Sequence, residues 1–290
     1  MVVAVTFSFV HAVHASPLRV ALAFEQEHEL YRSFEAALHQ AFESRTDINL
    51  LPNAAGVREA DVIIAVGAKA AERYIDSPRP VLNVLVSRAW VDSVGKPDKR
   101  QISGIYFDQP IDRQLALLHA ALPQARSVGV LVSADSAALQ SLRRLSDETR
   151  ISLHVQQSRM PDRLFGDLSA LLGVSDALLV LPDAAIYRSD TIRNILLETY
   201  RQRVPMIGLS QHYVRAGALC AVYSTPLQIA NQTARAVAQF AKTGKLPDYQ
   251  YPQEFEVAVN TQVARSLGLT IKSAEQLRTE IGRASCRERV

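Results

Sequence analysis

The feature of this sequence that most constrains its fold is a regular alternation of short β-rich runs with amphipathic helical stretches. The alternation runs from Leu18 almost to the C-terminal end and is typical of parallel βαβ units. It occurs twice, and the two halves are separated by a helical stretch at residues 111–122 that Pro123 ends. The pattern therefore predicts an α/β protein with two doubly wound, Rossmann-like lobes.

The period of the apolar residues assigns strands and helices in each half. In the first half we predict strands at Leu18–Phe24, Ile48–Leu51, 61–66 and Val81–Val86, and helices at 27–44 and Ala68–Tyr74. In the second half we predict strands at 127–132, 152–156, 177–181 and 205–209, and helices at 136–149, 161–172 and 189–203. A strand at 219–223, a long helix at Pro226–Thr243 and a strand at 254–259 follow. These last elements are expected to return the chain across the lobe boundary and to make hinge crossovers.

Each predicted lobe is assembled from two parts of the chain. Residues 16–123 with about 226–248 form the first lobe, and residues 124–225 with about 249–279 form the second. Parallel sheets bind ligands at the carboxyl ends of their strands, where loops and helix N-termini gather. Two lobes that face each other by these ends would enclose a cleft.

Two terminal segments are set apart from the predicted fold. Residues 1–15, MVVAVTFSFVHAVHA, are apolar and end in a Val-His-Ala sequence that suits a signal peptidase. They predict a signal peptide and a periplasmic location; the alternative is a buried first strand. Residues 280–290, EIGRASCRERV, have no apolar periodicity and resemble a translated sequencing adapter, so we expect them to be an artefact.

Composition and motifs exclude several kinds of partner and chemistry. The 32 basic and 29 acidic residues are spread along the chain, so no basic stripe predicts a nucleic-acid partner. Without Cys286 of the suspected artefact, Cys220 is the one remaining cysteine, and its apolar neighbours predict a buried small hydrophobe. The sequence has no phosphate-loop, dinucleotide, nucleophile-elbow or zinc-helix motif. We therefore expect no metal, no cofactor and no enzymatic activity.

Candidate binding residues in the first lobe follow two of its predicted strands. The strand at 61–66 leads into Gly67, Ala68 and Lys69, where a glycine lets a ligand approach the backbone and a helix start offers N–H groups to a carboxylate. The next strand ends at Ser87 and Arg88, whose hydroxyl and guanidinium suit the same anion. Lys69 and Arg88 as solvated surface charges are the alternative.

Candidate residues in the second lobe also lie at predicted strand ends. One strand leads to Ser133, Asp135 and Ser136, which could equally cap the following helix. Another leads to Asp183, an acid that could pair with an ammonium group or cap a helix, and a third leads to Ser210. An anion-binding first lobe and an acidic second lobe would together suit a zwitterion.

Seven segments, read together, resemble the ABC transporter substrate-binding protein family that includes tryptophan- and tyrosine-binding members. The resemblance covers roughly residues 17–272 and is more specific in the second half. The segments are 66–71 (VGAKAA), 122–130 (LPQARSVGV), 180–183 (VLPD), 204–208 (VPMIG), 216–219 (AGAL), 244–247 (GKLP) and 255–269, which ends in VARSLGL.

The resemblance implies a type I periplasmic-binding-protein fold with three crossings between the lobes. It also implies that the helix after Pro226 packs back on the first lobe. By the same resemblance, an acid at the position of Asp183 would meet the ammonium group of the ligand. The loops at Gly67 and Ser87 would face the carboxylate of the ligand.

Residues and resemblance together predict a monomeric periplasmic receptor for a small polar, amino-acid-like solute. Such a receptor would serve an ABC-type importer and dock on its permease in the inner membrane. The chain departs from the family's pattern at Ala68, where threonine is common, and at Arg88-Ala89, where an Asp-Pro pair is common. The alternative function is ligand sensing for a membrane signalling protein, and a hydrolase or transferase with unrecognised chemistry is a third hypothesis.

Overall fold

Two separate α/β sheets form the framework of the protein. The structure, a computed structural model, describes residues 16–25, 28–51, 54–95, 101–134, 136, 151–158 and 163–287. The suspected signal peptide lies outside these residues, and the predicted helix at 136–149 lies almost entirely outside them. The sequence-based expectation of two doubly wound lobes is confirmed by the two sheets.

The first sheet has five parallel strands in the order β2-β1-β3-β4-β5. The helices on its faces include the 18-residue helix at Pro226–Thr243, which contacts the first helix of the chain. The strands are β1 Leu18–Phe24, β2 Ile48–Leu51, β3 Val62–Val66, β4 Val81–Val86 and β5 Ile102–Tyr106. The helices between them are α1 Glu29–Phe42, a 3-10 helix at Ala54–Arg58, α2 Ala68–Tyr74 and α3 Arg88–Val94.

The first sheet is apolar on both faces, as expected for parallel strands covered by helices on two sides. On one face Leu22 and Ile64 pack in a cluster with Phe34 of α1. On the other face Ile63 packs in a cluster with Ala71 of α2. This alternation of buried side chains fixes the register of the strands.

The second sheet has six strands in the order β11-β10-β9-β8-β6-β7, and all neighbours are parallel except β10 and β11. Its strands are β6 Ser127–Ser133, β7 Ser152–Ser158, β8 Ala177–Leu179, β9 Met206–Gly208, β10 Cys220–Tyr223 and β11 Glu256–Val259. The remaining helices are α4 Ile111–Ala121, α5 Leu164–Leu172, α6 Ile192–Arg201, α7 Gln211–Ala216, α8 Pro226–Thr243, α9 Thr261–Ser266 and α10 Ala274–Arg287.

Within the described residues, the chain passes between the two sheets three times. The crossings are residues 107–110 between β5 and α4, residues 224–225 between β10 and α8, and residues 244–255 between α8 and β11. Helix α8 begins at a capping box made by Thr225 and Gln228. Its Ile229 and Val237 lie in the apolar cluster of the first sheet. The implied packing of this helix is thus found.

Helix α4 packs on the second sheet. Its Leu115, Leu117 and Leu118 are buried in one cluster with Val130 of β6 and Leu277 of α10. The sequence instead placed residues up to 123 in the first lobe, because Pro123 marks the end of the helix along the chain. A stop signal shows where a helix ends, but the apolar face of the helix decides which sheet it covers.

Polar side chains join the three crossings to one another. Gln109 donates through Nε2 to Ser224 Oγ over 2.9 Å, and Ser224 Oγ donates to the carbonyl oxygen of Glu254. The buried guanidinium of Arg113 donates through Nη1 to Gln109 Oε1 (2.6 Å) and to the carbonyl oxygen of Pro252 (2.9 Å). Residues from all three crossings are therefore linked at the lobe boundary.

Candidate functional site

A pocket lies where the carboxyl ends of β4 and β8 approach each other beside the first and third crossings. It encloses about 460 Å³ of empty space, including open solvent. Its walls come from α3, from the first crossing and α4, from the segment after β8, and from the third crossing. The lining residues are Arg88, Ala89, Asp92, Asp108, Gln109, Ile111, Gln114, Leu181, Pro182 and Tyr251. Apolar walls with a few polar groups are typical of small-molecule sites.

Arg88 supplies the cationic group of the pocket. Ser87 precedes it as the N-cap of α3 and accepts a hydrogen bond from the N–H of Trp90. The guanidinium donates through Nη1 to Tyr251 Oη (3.1 Å) and through Nε to Asp92 Oδ2 (3.3 Å). The bond to Tyr251, followed by that to Asp92, raises the pKa of Arg88. Arg88 is therefore a permanent cation held at the lobe boundary.

Asp108 supplies a carboxylate that the protein only half satisfies. It lies on the first crossing, it is 9% exposed, and its Oδ2 accepts the backbone N–H of Arg88 over 2.6 Å. Its Oδ1 is buried and has no hydrogen-bond partner among the described residues. Burial raises the pKa of Asp108 to about 6, against the opposing hydrogen bond and charge of Arg88.

Asp183 has a very different environment from Asp108. Its Oδ2 accepts two hydrogen bonds from Ser133, one from the backbone N–H and one from Oγ, both over 2.8 Å. Its Oδ1 accepts the N–H of Ala185 over 3.1 Å. Asp183 therefore ties the end of β6 to the turn after β8, which is closer to the capping alternative than to a free acid.

The other predicted residues of the second lobe are dispersed. The N–H of Ser136 donates to the carbonyl oxygen of Ser133, whereas Asp135 lies outside the described residues. Ser210 is the N-cap of α7, and its side chain makes no capping hydrogen bond. The described residues Ser133, Ser136 and Ser210 do not line the pocket. The predicted contact of Asp183 with a ligand stays a prediction, and its neighbours Leu181 and Pro182 do line the pocket.

The Gly67 loop of the first lobe is closed over by an aromatic ring. Gly67 has a φ of +80°, and a Cβ at this position would overlap the hydroxyl of Tyr31. Its N–H donates to the carbonyl oxygen of Val84 and is therefore already used. Ala68 and the exposed Lys69 begin α2 outside the pocket. Of the ten predicted binding residues, only Arg88 lines the pocket, within the part of the chain that the structure describes.

Five polar residues of the pocket were missed by sequence reasoning: Asp92, Asp108, Gln109, Gln114 and Tyr251. Strand β5 was not predicted, so the polar residues that follow it were not recognised as strand-end residues. The local signal was weak, because Ser103 and Gly104 interrupt the apolar residues of 102–106 before the acid at position 108. Tyr251 lies on a crossing, and no local pattern indicates that it turns toward α3.

Metal binding and membrane insertion are two further properties of the described residues. These residues contain no group of three or more His, Cys, Asp or Glu side chains placed to hold a metal ion. None of the helices in the described ranges has the length and hydropathy needed to cross a membrane. Cys220 is free and buried, as its neighbours predict, and burial raises the pKa of its thiol.

Two α/β lobes, three crossings and a pocket at their junction define a two-lobed ligand-binding protein. The profile of the family of ABC transporter substrate-binding proteins matches residues 29–280. The chain therefore belongs to that family, as its sequence segments indicate. The family is one of solute-binding proteins that work with ABC transporters. Among curated proteins, no sequence matches that of this chain.

Solved structures share the fold at low sequence identity. A conserved domain protein of Vibrio cholerae is 21% identical with a TM-score of 0.64, and the match covers 90% of this chain and 98% of that one. The ligand-free, open structure of a substrate-binding protein with adhesive properties from Clostridium difficile is 16% identical with a TM-score of 0.72, covering 89% and 97%. An ABC domain in complex with L-Trp from Streptococcus pneumonia is 16% identical with a TM-score of 0.63, covering 90% and 98%. These matches confirm the periplasmic-binding-protein-like I fold.

Proposed function

We propose that this protein binds a small zwitterionic solute, of the amino-acid type, in the pocket between its lobes and delivers it to an ABC importer. The observation that carries this proposal is the presence of a guanidinium and a carboxylate, from Arg88 and Asp108, in one pocket with apolar walls. An arginine suits a carboxylate because its N–H groups match the two oxygens. An acid suits an ammonium group because the two groups carry opposite charges.

The walls of the pocket also suit a solute of this class. Ile111 and Leu181 offer apolar surface to a side chain. The solved neighbour that contains L-Trp binds a molecule with the same pair of charged groups.

A binding screen with a matched pair of variants tests the proposal. Wild-type protein is titrated by calorimetry with the proteinogenic L-amino acids, and then Arg88→Ala and Arg188→Ala are titrated with each one that binds. The two arginines are matched, since their side chains are 46% and 48% exposed and each pairs with an aspartate, Asp92 or Asp190. We expect Arg88→Ala to weaken binding by about 30-fold, which is about 2 kcal/mol, and Arg188→Ala to leave it unchanged. Equal affinities for the two variants would contradict the proposed pocket.

The importer role and the periplasmic location need a cellular test. Cells that lack the protein should lose high-affinity uptake of the solute and regain it when the full-length chain is expressed. Fractionation should recover the protein with the periplasmic contents. Unchanged uptake together with a lost transcriptional response to the solute would favour ligand sensing for a membrane signalling protein.

A further inference from the structure

One carboxylate oxygen of Asp108 is unpaired in the wall of the pocket, and Oε1 of the neutral Gln114 is a second buried oxygen there without a partner among the described residues. Oδ2 is used by the backbone N–H of Arg88, whereas Oδ1 is both shielded from solvent and without a partner among the described residues. Buried polar groups are nearly always hydrogen-bonded, because leaving one unpaired destabilises the fold. An unpaired carboxylate oxygen in a pocket wall therefore calls for a partner that is not part of the folded chain.

The groups around Asp108 do not provide that partner. Helix α3 contributes Arg88 and Asp92, but the guanidinium of Arg88 donates to Asp92 and to Tyr251. The third crossing contributes Tyr251, whose hydroxyl accepts the bond from Arg88. Gln109 donates its Nε2 to Ser224. The pocket residues of α4 and of the segment after β8 carry no charge.

We propose that Asp108 receives the protonated amine of the solute, so that the protein selects solutes with an amine over the matching carboxylic acids that lack one. This inference rests on the proposed function, because it assigns one charged group of the solute in that pocket. Asp108 lies on a crossing between the lobes, where opening and closing changes the backbone. Since Oδ1 is shielded here, the contact requires a small movement of the pocket wall as the lobes close.

Binding of a protonated amine at Asp108 depends on pH. Burial raises the pKa of Asp108 to about 6, so the carboxyl group is largely protonated at pH 5 and largely ionised at pH 7.5. A protonated amine favours the ionised carboxylate, so binding must release a proton wherever Asp108 is protonated in the free protein. Affinity for an amino acid should therefore fall by about tenfold between pH 7.5 and pH 5. Affinity for the matching acid without an amine should not fall in this way.

The experiment compares each amino acid that binds with the carboxylic acid that lacks its amine, for example L-phenylalanine with 3-phenylpropanoate. Calorimetry is run at pH 7.5 and pH 5 in two buffers of different ionisation enthalpy, with wild type, Asp108→Asn and Asp190→Asn. Asp190 is exposed and pairs with Arg188 away from the pocket. We expect wild type and Asp190→Asn to prefer the amine by tenfold or more at pH 7.5 and to release protons on binding at pH 5.

Asp108→Asn should lose the preference for the amine and the pH dependence while it keeps its affinity for the acid without an amine. If Asp108→Asn keeps both the preference and the pH dependence, the inference is overturned and the proposed function stands. If neither amino acids nor acids bind the wild type, the proposed function fails together with the inference. If the variant does not fold, proton release by the wild type decides, and its absence at pH 5 overturns the inference.

Discussion

The carboxylates that follow strands in the two lobes differ in how fully they are hydrogen-bonded. On the second sheet, Asp183 accepts three hydrogen bonds from Ser133 and Ala185. Beside the first sheet, Asp108 accepts one hydrogen bond and keeps a buried oxygen without a partner among the described residues. The difference indicates that Asp183 stabilises the fold, whereas Asp108 has an oxygen available to a ligand. Departures from full hydrogen bonding are expected at functional sites.

The sequence alone does not distinguish the position of Asp183 from that of Asp108. Both acids follow a strand of a parallel sheet, where ligands usually bind. Asp183 accepts hydrogen bonds from two donors of Ser133, at the end of a neighbouring strand. An acid with such donors within the folded chain stabilises a turn and needs no ligand as a partner. Substitutions at three places, the turn of Asp183, Asp108 and Ser224, test whether the contrast is real, in order of decreasing expected effect.

Asp183→Ala should cause the largest loss of stability. It removes the acceptor of three hydrogen bonds and leaves the donors of Ser133 and Ala185 without it, so we expect the free energy of unfolding to fall by about 3 kcal/mol. Urea denaturation at pH 7.5 measures this. Ser133→Ala, which removes one of the three bonds, should cost about 1 kcal/mol. For Asp183→Ala, a loss below about 0.5 kcal/mol would mean that the acid does not stabilise the turn.

Asp108→Asn should act in the opposite direction at neutral pH. The folded-state pKa of Asp108 is raised to about 6 from 3.8, so its ionisation destabilises the fold as pH rises from about 4 to 6. At pH 7.5 we therefore expect the variant to be more stable than wild type by about 3 kcal/mol. The gain should vanish near pH 3, where the carboxyl group is largely protonated in both folded and unfolded chains. Unfolding by urea at the two pH values measures the gain, and a loss of stability at pH 7.5 would contradict this account of Asp108.

Ser224→Ala should have the smallest effect of the three. The hydroxyl accepts from Gln109 and donates to the carbonyl oxygen of Glu254, so its removal uncouples the crossings at one point. We expect a loss of about 1 kcal/mol in the free energy of unfolding. Hydrogen exchange should become faster at residues 107–110 and 249–255, and unchanged exchange there would mean that the hydroxyl does not couple the crossings.

Much of the fold could be predicted from the apolar pattern. Strands β1, β2 and β4 and helices α2 and α8 have the predicted bounds, and the other predicted strands are found with small shifts at their ends. These elements are buried on one or two faces, so the spacing of apolar residues reports directly on their structure. The short helices α3, α7 and α9 were missed because they have too few turns to show a period.

Strand β5 was missed for a physical reason that reaches across the chain. Its middle residues, Ser103 and Gly104, do not resemble a buried strand, and a glycine within a strand weakens it. Gly104 is needed because a Cβ there would lie 2.5 Å from both the carbonyl oxygen of Asn83 and Cε1 of Tyr249. Tyr249 belongs to the third crossing, about 145 residues further along the chain. A close approach of this kind leaves no local pattern.

The candidate site was predicted less well than the fold for the same reason. Arg88 was found because it directly follows a predicted strand, whereas Tyr251 and Asp108 join it through crossings whose paths depend on how two sheets pack. Even the placement of α4 on the second sheet depends on its apolar face meeting β6 and α10. Sequence patterns locate strand ends, but the contacts between lobes decide which strand ends share a pocket.

The most direct test of the central claim is a crystal structure of the protein with an amino acid that it binds. We predict that the solute lies between α3 and the first crossing, with its carboxylate on the Arg88 guanidinium and its ammonium group within about 3 Å of an Asp108 oxygen. A solute bound at the Gly67 loop or on Asp183, with Oδ1 of Asp108 still unpaired, would contradict the account.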